Sequence, residues 1–240
     1  MRRCLALVVL ASAVSLSPPA TAQTDTLPYD GAWADRASGE ALVALPDGYD
    51  ADPNRRWPLL LFLHGAGERG DSLDLVAVHG PLKERRAGRD LPFVIVAPQV
   101  PEGHRWTVGR VVAALDGALA RYRVAPDRVT LTGLSMGGFG TWEAIAEVPE
   151  RFAAAVPICG GGLPLGVGRA HGVPVWAFHG AMDRVVPVGA SVEMVRALRD
   201  AGGAVRFTVY PDAGHDSWTE TYANPEVYEW LLSHRISDRD

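Results

Sequence analysis

The chain has 240 residues, a formal net charge of −5 at pH 7 and 48% hydrophobic residues. A chain of this length can bury a large core without disulfide bonds, so a single globular domain is expected. Basic residues form no run except Lys83–Arg86, which contains Glu84. Nucleic acid and anionic membrane surfaces are therefore not expected as partners.

The first 22 residues have the pattern of a secretory signal peptide. Met1–Arg3 supplies positive charge, Leu5–Leu16 is an apolar run too short to span a bilayer, and Ala20–Ala22 has the Ala-x-Ala form of a cleavage site. We predict cleavage after this motif, one domain over residues 23–240, and a secreted or periplasmic location without stable membrane insertion. Cys159 would be the one cysteine of the mature chain, so an internal disulfide is not expected.

Short apolar runs alternate with segments of helical periodicity in the rest of the chain. Such runs are typical of strands buried on both faces of a sheet. We predict strands at 41–45, 58–63, 93–97, 129–132, 153–158, 173–178 and 205–210, with 41–45 at an edge. We predict helices at 108–122, 141–148 and 188–198, and a last helix that begins at Asn224-Pro225. The alternation predicts an α/β fold with a doubly wound, mostly parallel sheet.

The sequence Gly133-Leu-Ser135-Met-Gly137 lies between a predicted strand and a predicted helix. A serine at such a turn projects its Oγ out of the sheet, and glycines on both sides remove side chains that would collide there. The amide of Met136 would point at a developing oxyanion, so one turn would supply a nucleophile and half of an oxyanion hole. Idle serines also occur in short Gly-x-Ser-x-Gly matches, so the pattern needs partners from other loops.

The loop after the predicted strand 58–63 supplies the second oxyanion donor in this interpretation. It reads His64-Gly65-Ala66-Gly67, and its glycines let the backbone approach a substrate carbonyl. We predict that the donor is the amide of Ala66, with Gly67 as its close competitor. A plain glycine-rich turn is the alternative. Glu68-Arg69 would be either an ion pair that orients the loop or a solvated surface pair.

Two further loops carry candidate partners for the serine. Asp183 is the one acid in the loop after the predicted strand 173–178, and His215 lies between the last predicted strand and the last helix. Chemistry in open α/β sheets gathers beyond the carboxyl ends of the strands. The order Ser135, Asp183, His215 therefore predicts a catalytic triad of the α/β-hydrolase type. The alternative for Asp183 is a pair with Arg184 or a cap on the next helix.

From Trp57 to His234 the chain resembles the small secreted esterases of the α/β-hydrolase superfamily. The resemblance lies in the stretches LLLFLHGAGERG, FVIVAPQ, VTLTGLSMGGFGTWEAI, HGAMDRVVPV and AGHDSWTETYANPEVYEWLL. They are most similar to the predicted-peptidase or phospholipase/carboxylesterase-like group, near feruloyl esterase-like and polyhydroxybutyrate depolymerase-like enzymes. The resemblance implies an α/β-hydrolase fold in which the functional residues are Ser135, Asp183 and His215, with Met136 and the Ala66 loop as oxyanion donors. Dienelactone hydrolases share this architecture but use a cysteine as the nucleophile.

These residues predict a serine esterase that forms an acyl-enzyme without a metal ion or cofactor. Cys159–Gly172 is too short for a lid domain, so we expect an open, shallow site for short-chain or aromatic esters, with feruloyl and acetyl groups on polysaccharide as candidates. Trp106 and Trp218 are candidate wall residues, and core packing is their alternative role. A serine peptidase of the same fold and a non-catalytic binding protein are the alternative functions.

Overall fold

The computed structural model describes residues 23–31 and 38–239. The strands of these residues are β1 (Thr24–Asp30), β2 (Ser38–Ala44), β3 (Trp57–Leu63), β4 (Val94–Pro98), β5 (Val124–Leu134), β6 (Ala154–Ile158), β7 (Val175–Gly180) and β8 (Val205–Tyr210). They form one sheet in the order β1-β2-β4-β3-β5-β6-β7-β8. The predicted signal peptide, residues 1–22, lies outside the described residues.

The sheet is mostly parallel. Strands β3 to β8 run parallel to one another, whereas β2 is antiparallel to both β1 and β4. The helices are α1 (Gly80–Arg86), α2 (Val108–Arg121), α3 (Met136–Glu147), α4 (Pro164–Val167), α5 (Gly189–Asp200), α6 (Trp218–Ala223) and α7 (Pro225–Leu232). Within the described part of the chain, no helix has the length and apolar character needed to cross a bilayer.

Helices cover both faces of the sheet, which confirms the predicted α/β-hydrolase architecture. Successive residues of a strand point to opposite faces. Leu59, Leu61 and Leu63 of β3 pack in a core cluster with α2, α3 and α5. Leu60 and Phe62 pack in a second cluster with α1, α6 and α7. Because all five side chains are buried, β3 reads as a continuous apolar run.

The predicted edge strand is not at the edge. β1 pairs with one side of β2 and β4 pairs with the other, so residues 41–44 have a strand on each side. The sequence did not reveal β1 because its buried residues are only Leu27 and Tyr29, with Pro28 between them. Proline cannot donate to a ladder and is found mainly on edge strands, which is the position of β1.

The segment between β6 and β7 contains α4 and one 3-10 turn, Gly168–Ala170. It does not form a lid domain, in agreement with the sequence. Helix α4 packs instead against α3 and α5. Residues of this short segment therefore line the cavity beside Ser135.

Candidate active site

Ser135 lies in a tight turn between the end of β5 and the start of α3. Its backbone has φ 51° and ψ −115°, a conformation that residues other than glycine rarely adopt. A Cβ at Gly137 would lie 1.9 Å from the carbonyl oxygen of Leu63, so the close approach of α3 to β3 requires glycine there. The Gly-x-Ser-x-Gly pattern thus forms the predicted strand-to-helix turn.

The side chains of Ser135, His215 and Asp183 form a continuous hydrogen-bonded chain. His215 Nε2 lies 2.9 Å from Ser135 Oγ, and His215 Nδ1 lies 2.7 Å from Asp183 Oδ2. Asp183 Oδ1 accepts from the amides of Val185 at 2.8 Å and Val186 at 2.9 Å. Both carboxylate oxygens are therefore held, and the structure brings the three predicted triad residues together.

Asp183 is suited to remain ionised. Burial would raise the pKa of this carboxyl, but hydrogen bonds from His215 and from the amides of Val186 and Val185 outweigh burial and hold its pKa below the ordinary value. Since a carboxylate only accepts, His215 Nδ1 must carry the proton between the two groups. In neutral His215, Nε2 is then unprotonated and can accept the proton of the Ser135 hydroxyl.

The loop from β7 places His215 against Asp183 by a close backbone approach. A Cβ at Gly180 would lie 2.1 Å from the carbonyl oxygen of Gly214, so a side chain at the end of β7 would displace the histidine loop. The amide of Met182 also donates to the carbonyl of Ala213 at 2.9 Å. The acid loop and the histidine loop are therefore fixed to each other through their backbones.

The predicted oxyanion hole needs one amide from the loop after β3 and one from the start of α3. The amide of Gly65 donates to Glu68 Oε2 at 2.7 Å and is occupied, whereas Ala66 and Gly67 are exposed. Met136 is the first residue of α3, so its amide has no acceptor within the helix. The amides of Met136 and of Ala66 or Gly67 therefore remain the candidates for oxyanion donors that the sequence suggested.

Glu68 and Arg69 hold the oxyanion loop separately, so neither the ion pair nor the solvated pair expected from the sequence is found. The Glu68 carboxylate is nearly buried and binds the Gly65 amide. Arg69 Nε donates to the carbonyl of Ala66 at 2.9 Å, and Arg69 Nη1 donates to that of His104 at 3.3 Å. Each charged group finds a backbone partner in or beside the loop.

His64 is a structural residue that sequence reasoning did not assign. Its buried ring accepts from the amide of Val100 at Nε2, at 3.0 Å, so Nδ1 carries the proton and donates to the Gly65 carbonyl at 2.6 Å. Trp106 Nε1 donates to the His64 carbonyl at 2.9 Å. Burial lowers the pKa of His64 to about 4, which keeps the ring neutral. The signal in the sequence was a His-Gly pair directly after a buried strand.

A cavity of about 760 Å³ opens beside Ser135 and Met136. Its apolar wall comes from α3, α5 and two loops and consists of Trp106, Phe139, Trp142, Leu163 and Met194. Charged side chains also line it, namely Arg105, Glu143, Glu147 and Arg169. The segment that includes Gly162 and Leu163 packs beside α3 and lines one side of this cavity.

The two candidate tryptophans have different positions. Trp106 lines the cavity and is also part of the core, with 2% of its surface exposed. Trp218 does not line the cavity. Its ring packs edge-on against His215, with centroids 5.2 Å apart, and against His79 at 5.5 Å. Trp218 therefore supports the position of the triad histidine.

Residues 97–229 match the dienelactone hydrolase family. The chain belongs to this family. The match covers the elbow at Ser135, the acid loop of Asp183 and the histidine loop of His215, and it agrees with the α/β-hydrolase fold described above.

Similar proteins include a solved structure described as a thermostable esterase, with a TM-score of 0.73 and 34% identity over 88% of this chain and 63% of that chain. A bifunctional acetylxylan esterase/xylanase of Neocallimastix patriciarum is 30% identical over 54% of this chain and 20% of its own length. Acylamino-acid-releasing enzyme 2 of Oryza sativa subsp. japonica is 26% identical over 51% of this chain and 22% of its own. The chain spans about a fifth of the length of these two curated relatives.

Cys159 is the free cysteine of the described residues of this dienelactone hydrolase family member, and it lies beside the triad rather than at the elbow. Its sulfur and ligand atoms of Asp183 and His215 all lie within 4.8 Å of one another. Burial raises the pKa of the thiol to about 12. A metal ion here would have to deprotonate this thiol and break the His215–Asp183 hydrogen bond, so proton transfer is the chemistry that the arrangement fits better.

Proposed function

We propose that the protein is a serine carboxylic-ester hydrolase that works through an acyl-enzyme on short-chain or aromatic esters. The observation that carries the proposal is the hydrogen-bonded chain from Ser135 Oγ through His215 to Asp183. A non-catalytic binding protein would not need these three side chains at hydrogen-bond distance at the ends of three separate strands.

In this proposal each group has one role. His215 Nε2 takes the proton of Ser135 Oγ as the oxygen attacks the ester carbonyl, while Asp183 stabilises the imidazolium. The amides of Met136 and Ala66 bind the oxyanion of the tetrahedral intermediate. His215 then gives the proton to the leaving alcohol, and water releases the acid from Ser135 by the same steps.

The cavity supports aromatic or short acyl groups as substrates. A volume of about 760 Å³ accommodates a phenyl or cinnamoyl-sized group, and the ring of Phe139, which is 39% exposed, offers a flat partner for it. The charged side chains in the same wall would lose hydration against a long alkyl chain, which disfavours long-chain esters. The alcohol side would be a small molecule or a polysaccharide that remains outside the cavity, as in feruloyl or acetyl esters of polysaccharides.

A series of p-nitrophenyl esters from acetate to palmitate, together with a feruloyl ester, tests the proposal. We expect the largest kcat/KM for acetate, butyrate or the feruloyl ester, and loss of turnover in Ser135→Ala. A preference for palmitate, or a rate jump above the micellar concentration, would contradict the substrate range. Turnover in Ser135→Ala within tenfold of the native rate would contradict the mechanism itself.

A serine peptidase is the second candidate, because one similar protein is named an acylamino-acid-releasing enzyme. Peptide p-nitroanilides and acetylamino-acid p-nitroanilides distinguish the two functions. We expect ester hydrolysis without release of p-nitroaniline. Faster cleavage of the anilides than of the matched esters would favour the peptidase.

We also propose that the enzyme acts outside the cytoplasm, on the basis of the signal-like residues 1–22. N-terminal sequencing of the protein from a culture supernatant or periplasmic extract should begin at Gln23. Recovery of the intact chain with Met1 in the cytoplasmic fraction would contradict this location.

A further inference from the structure

A second histidine contacts the carboxylate of the proposed triad. His179 lies in β7, four residues before Asp183, and its side chain is fully buried. Its Nε2 lies 3.2 Å from Asp183 Oδ2, the same oxygen that His215 Nδ1 contacts at 2.7 Å. One carboxylate oxygen therefore stands between two imidazole rings.

The neighbours of the His179 ring fix where its proton lies. Nε2 is 2.8 Å from the carbonyl oxygen of Val186 as well as 3.2 Å from Asp183 Oδ2, and both of these oxygens only accept. Nε2 must therefore carry a proton, which it donates to the Val186 carbonyl, and the same N–H edge lies beside Asp183 Oδ2. Nδ1 is 2.7 Å from Ser191 Oγ, and that hydroxyl, which has one hydrogen to donate, is also 2.7 Å from the carbonyl oxygen of Gly160.

We infer that His179 is a positioning residue for the triad, which keeps its Nε2–H edge 3.2 Å from Asp183 Oδ2 and thereby limits the basicity that Asp183 confers on His215. The inference rests on the proposed serine mechanism. The positive N–H edge of an imidazole beside a carboxylate stabilises the charge of that carboxylate and reduces its pull on a neighbouring imidazolium. His179 also connects Asp183 to α5 through Ser191 and to the end of β6 through Gly160.

The titratable groups near the two rings are few. Among the described residues, Asp183 is the one titratable group that contacts the His179 ring. His215 is faced by Asp183 and by the Cys159 thiol, whose pKa of about 12 keeps it protonated. The adjacent Asp216 is engaged by the amide and hydroxyl of Thr219. The acid side of the pH profile should therefore report mainly on His215 and the hydrogen bonds to Asp183.

Two amide substitutions separate the two nitrogens of His179. In His179→Gln the side-chain N–H takes the place of Nε2 and can still lie beside Asp183 Oδ2. In His179→Asn the amide reaches only the position of Nδ1, near Ser191. On the acidic side of the profile, we expect the pH of half-maximal kcat/KM to increase by about one unit in His179→Asn. In His179→Gln this pH should stay within about 0.3 unit of the native value. We expect kcat to fall about tenfold in His179→Asn with KM nearly unchanged, because Asp183 is less well held.

Ser191→Ala is the matched structural control, because it removes the partner of Nδ1 but leaves the contact with Asp183. Ser191→Ala should lower the free energy of unfolding without changing the pH of half-maximal kcat/KM on the acidic side. Equal shifts in His179→Asn, His179→Gln and Ser191→Ala, or no shift in His179→Asn, would overturn the inference in favour of a purely structural role.

Histidine ring NMR of the substrate-free protein tests the same inference without a measurement of turnover. The His215 resonances, assigned with His215→Gln, should titrate at a higher pH in His179→Asn than in the native protein and in His179→Gln. An unmoved His215 titration in an active esterase would contradict the role of His179 alone. Failure of the proposed function would show instead as undiminished ester turnover in Ser135→Ala.

Discussion

Two buried histidines, each followed by glycine, lie at strand ends on the two sides of Ser135 and have different hydrogen-bond partners. His64, after β3, bonds only backbone groups: it accepts from the Val100 amide and donates to the Gly65 carbonyl. His179, in β7, contacts the side chains of Asp183 and Ser191. The histidine on the oxyanion side therefore holds the backbone of its loop, whereas the histidine on the acid–base side also contacts the carboxylate of Asp183. Changes on the two sides should differ in kind as well as in size.

The largest effect is expected when the charge on the acid–base side is removed. Asp183→Asn should lower kcat by about 10⁴-fold, because an amide favours the wrong tautomer of His215 and cannot stabilise its imidazolium. Steady-state kinetics with p-nitrophenyl acetate measures this loss. Asp212→Asn, an exposed acid in the histidine loop, is the control and should keep native kinetics. A loss below tenfold in Asp183→Asn would remove Asp183 from the mechanism.

A change to the oxyanion side should act through the loop rather than through proton affinity. Glu68→Ala leaves the Gly65 amide without its acceptor, so the loop shifts and kcat should fall about tenfold or more. Glu68→Gln keeps an acceptor oxygen and should stay within about threefold of native. The pH at half-maximal kcat/KM should not change in either variant. A shifted pH profile would show that the two sides are not separate.

The sequence was sufficient for the parts of the site that depend on chain order. Ser135, Asp183 and His215 each follow a recognisable strand, and strand ends gather at one edge of an α/β sheet. The roles of His64 and His179 could not be read in the same way, since a histidine at a strand end does not show which amide, hydroxyl or carboxylate will face its two nitrogens. Those partners come from distant parts of the chain.

Two features of the fold were also beyond the sequence pattern. β1 has a proline and only two buried side chains, so its alternation was too weak to predict a strand. One side of the cavity depends on how the segment after β6 packs against α3. Glycine-rich sequence at Gly160–Gly162 gave no periodicity from which that packing could be predicted.

The pH dependence of stability should distinguish the neutral His64. Its pKa is about 4 in the folded protein, against the ordinary 6.5, so the unfolded chain takes up a proton at a higher pH than the folded protein. This stabilisation is complete above pH ~6.5 and is lost as the pH falls towards ~4, by up to about 3 kcal/mol. Urea unfolding between pH 7 and 4 should show a weaker pH dependence in His64→Gln than in the native protein. Equal dependences would show that His64 does not stay neutral.

The smallest effect is expected at Cys159. With a pKa of about 12, the buried thiol is almost entirely protonated at pH ~8, so roughly one molecule in ten thousand holds a thiolate. Iodoacetamide should therefore leave ester hydrolysis unchanged and add no mass at Cys159. Inactivation in step with alkylation would show an accessible, reactive thiol in the site.

Covalent labelling of Ser135 tests the central claim most directly. A serine-directed fluorophosphonate should add one adduct to the native protein in an intact-mass measurement, and peptide mapping should locate that adduct on Ser135. Ser135→Ala should remain unlabelled under the same conditions while its circular dichroism spectrum stays native. An adduct on Ser135→Ala at the native rate, or one mapped to another residue of the native protein, would contradict the assignment of Ser135 as the nucleophile.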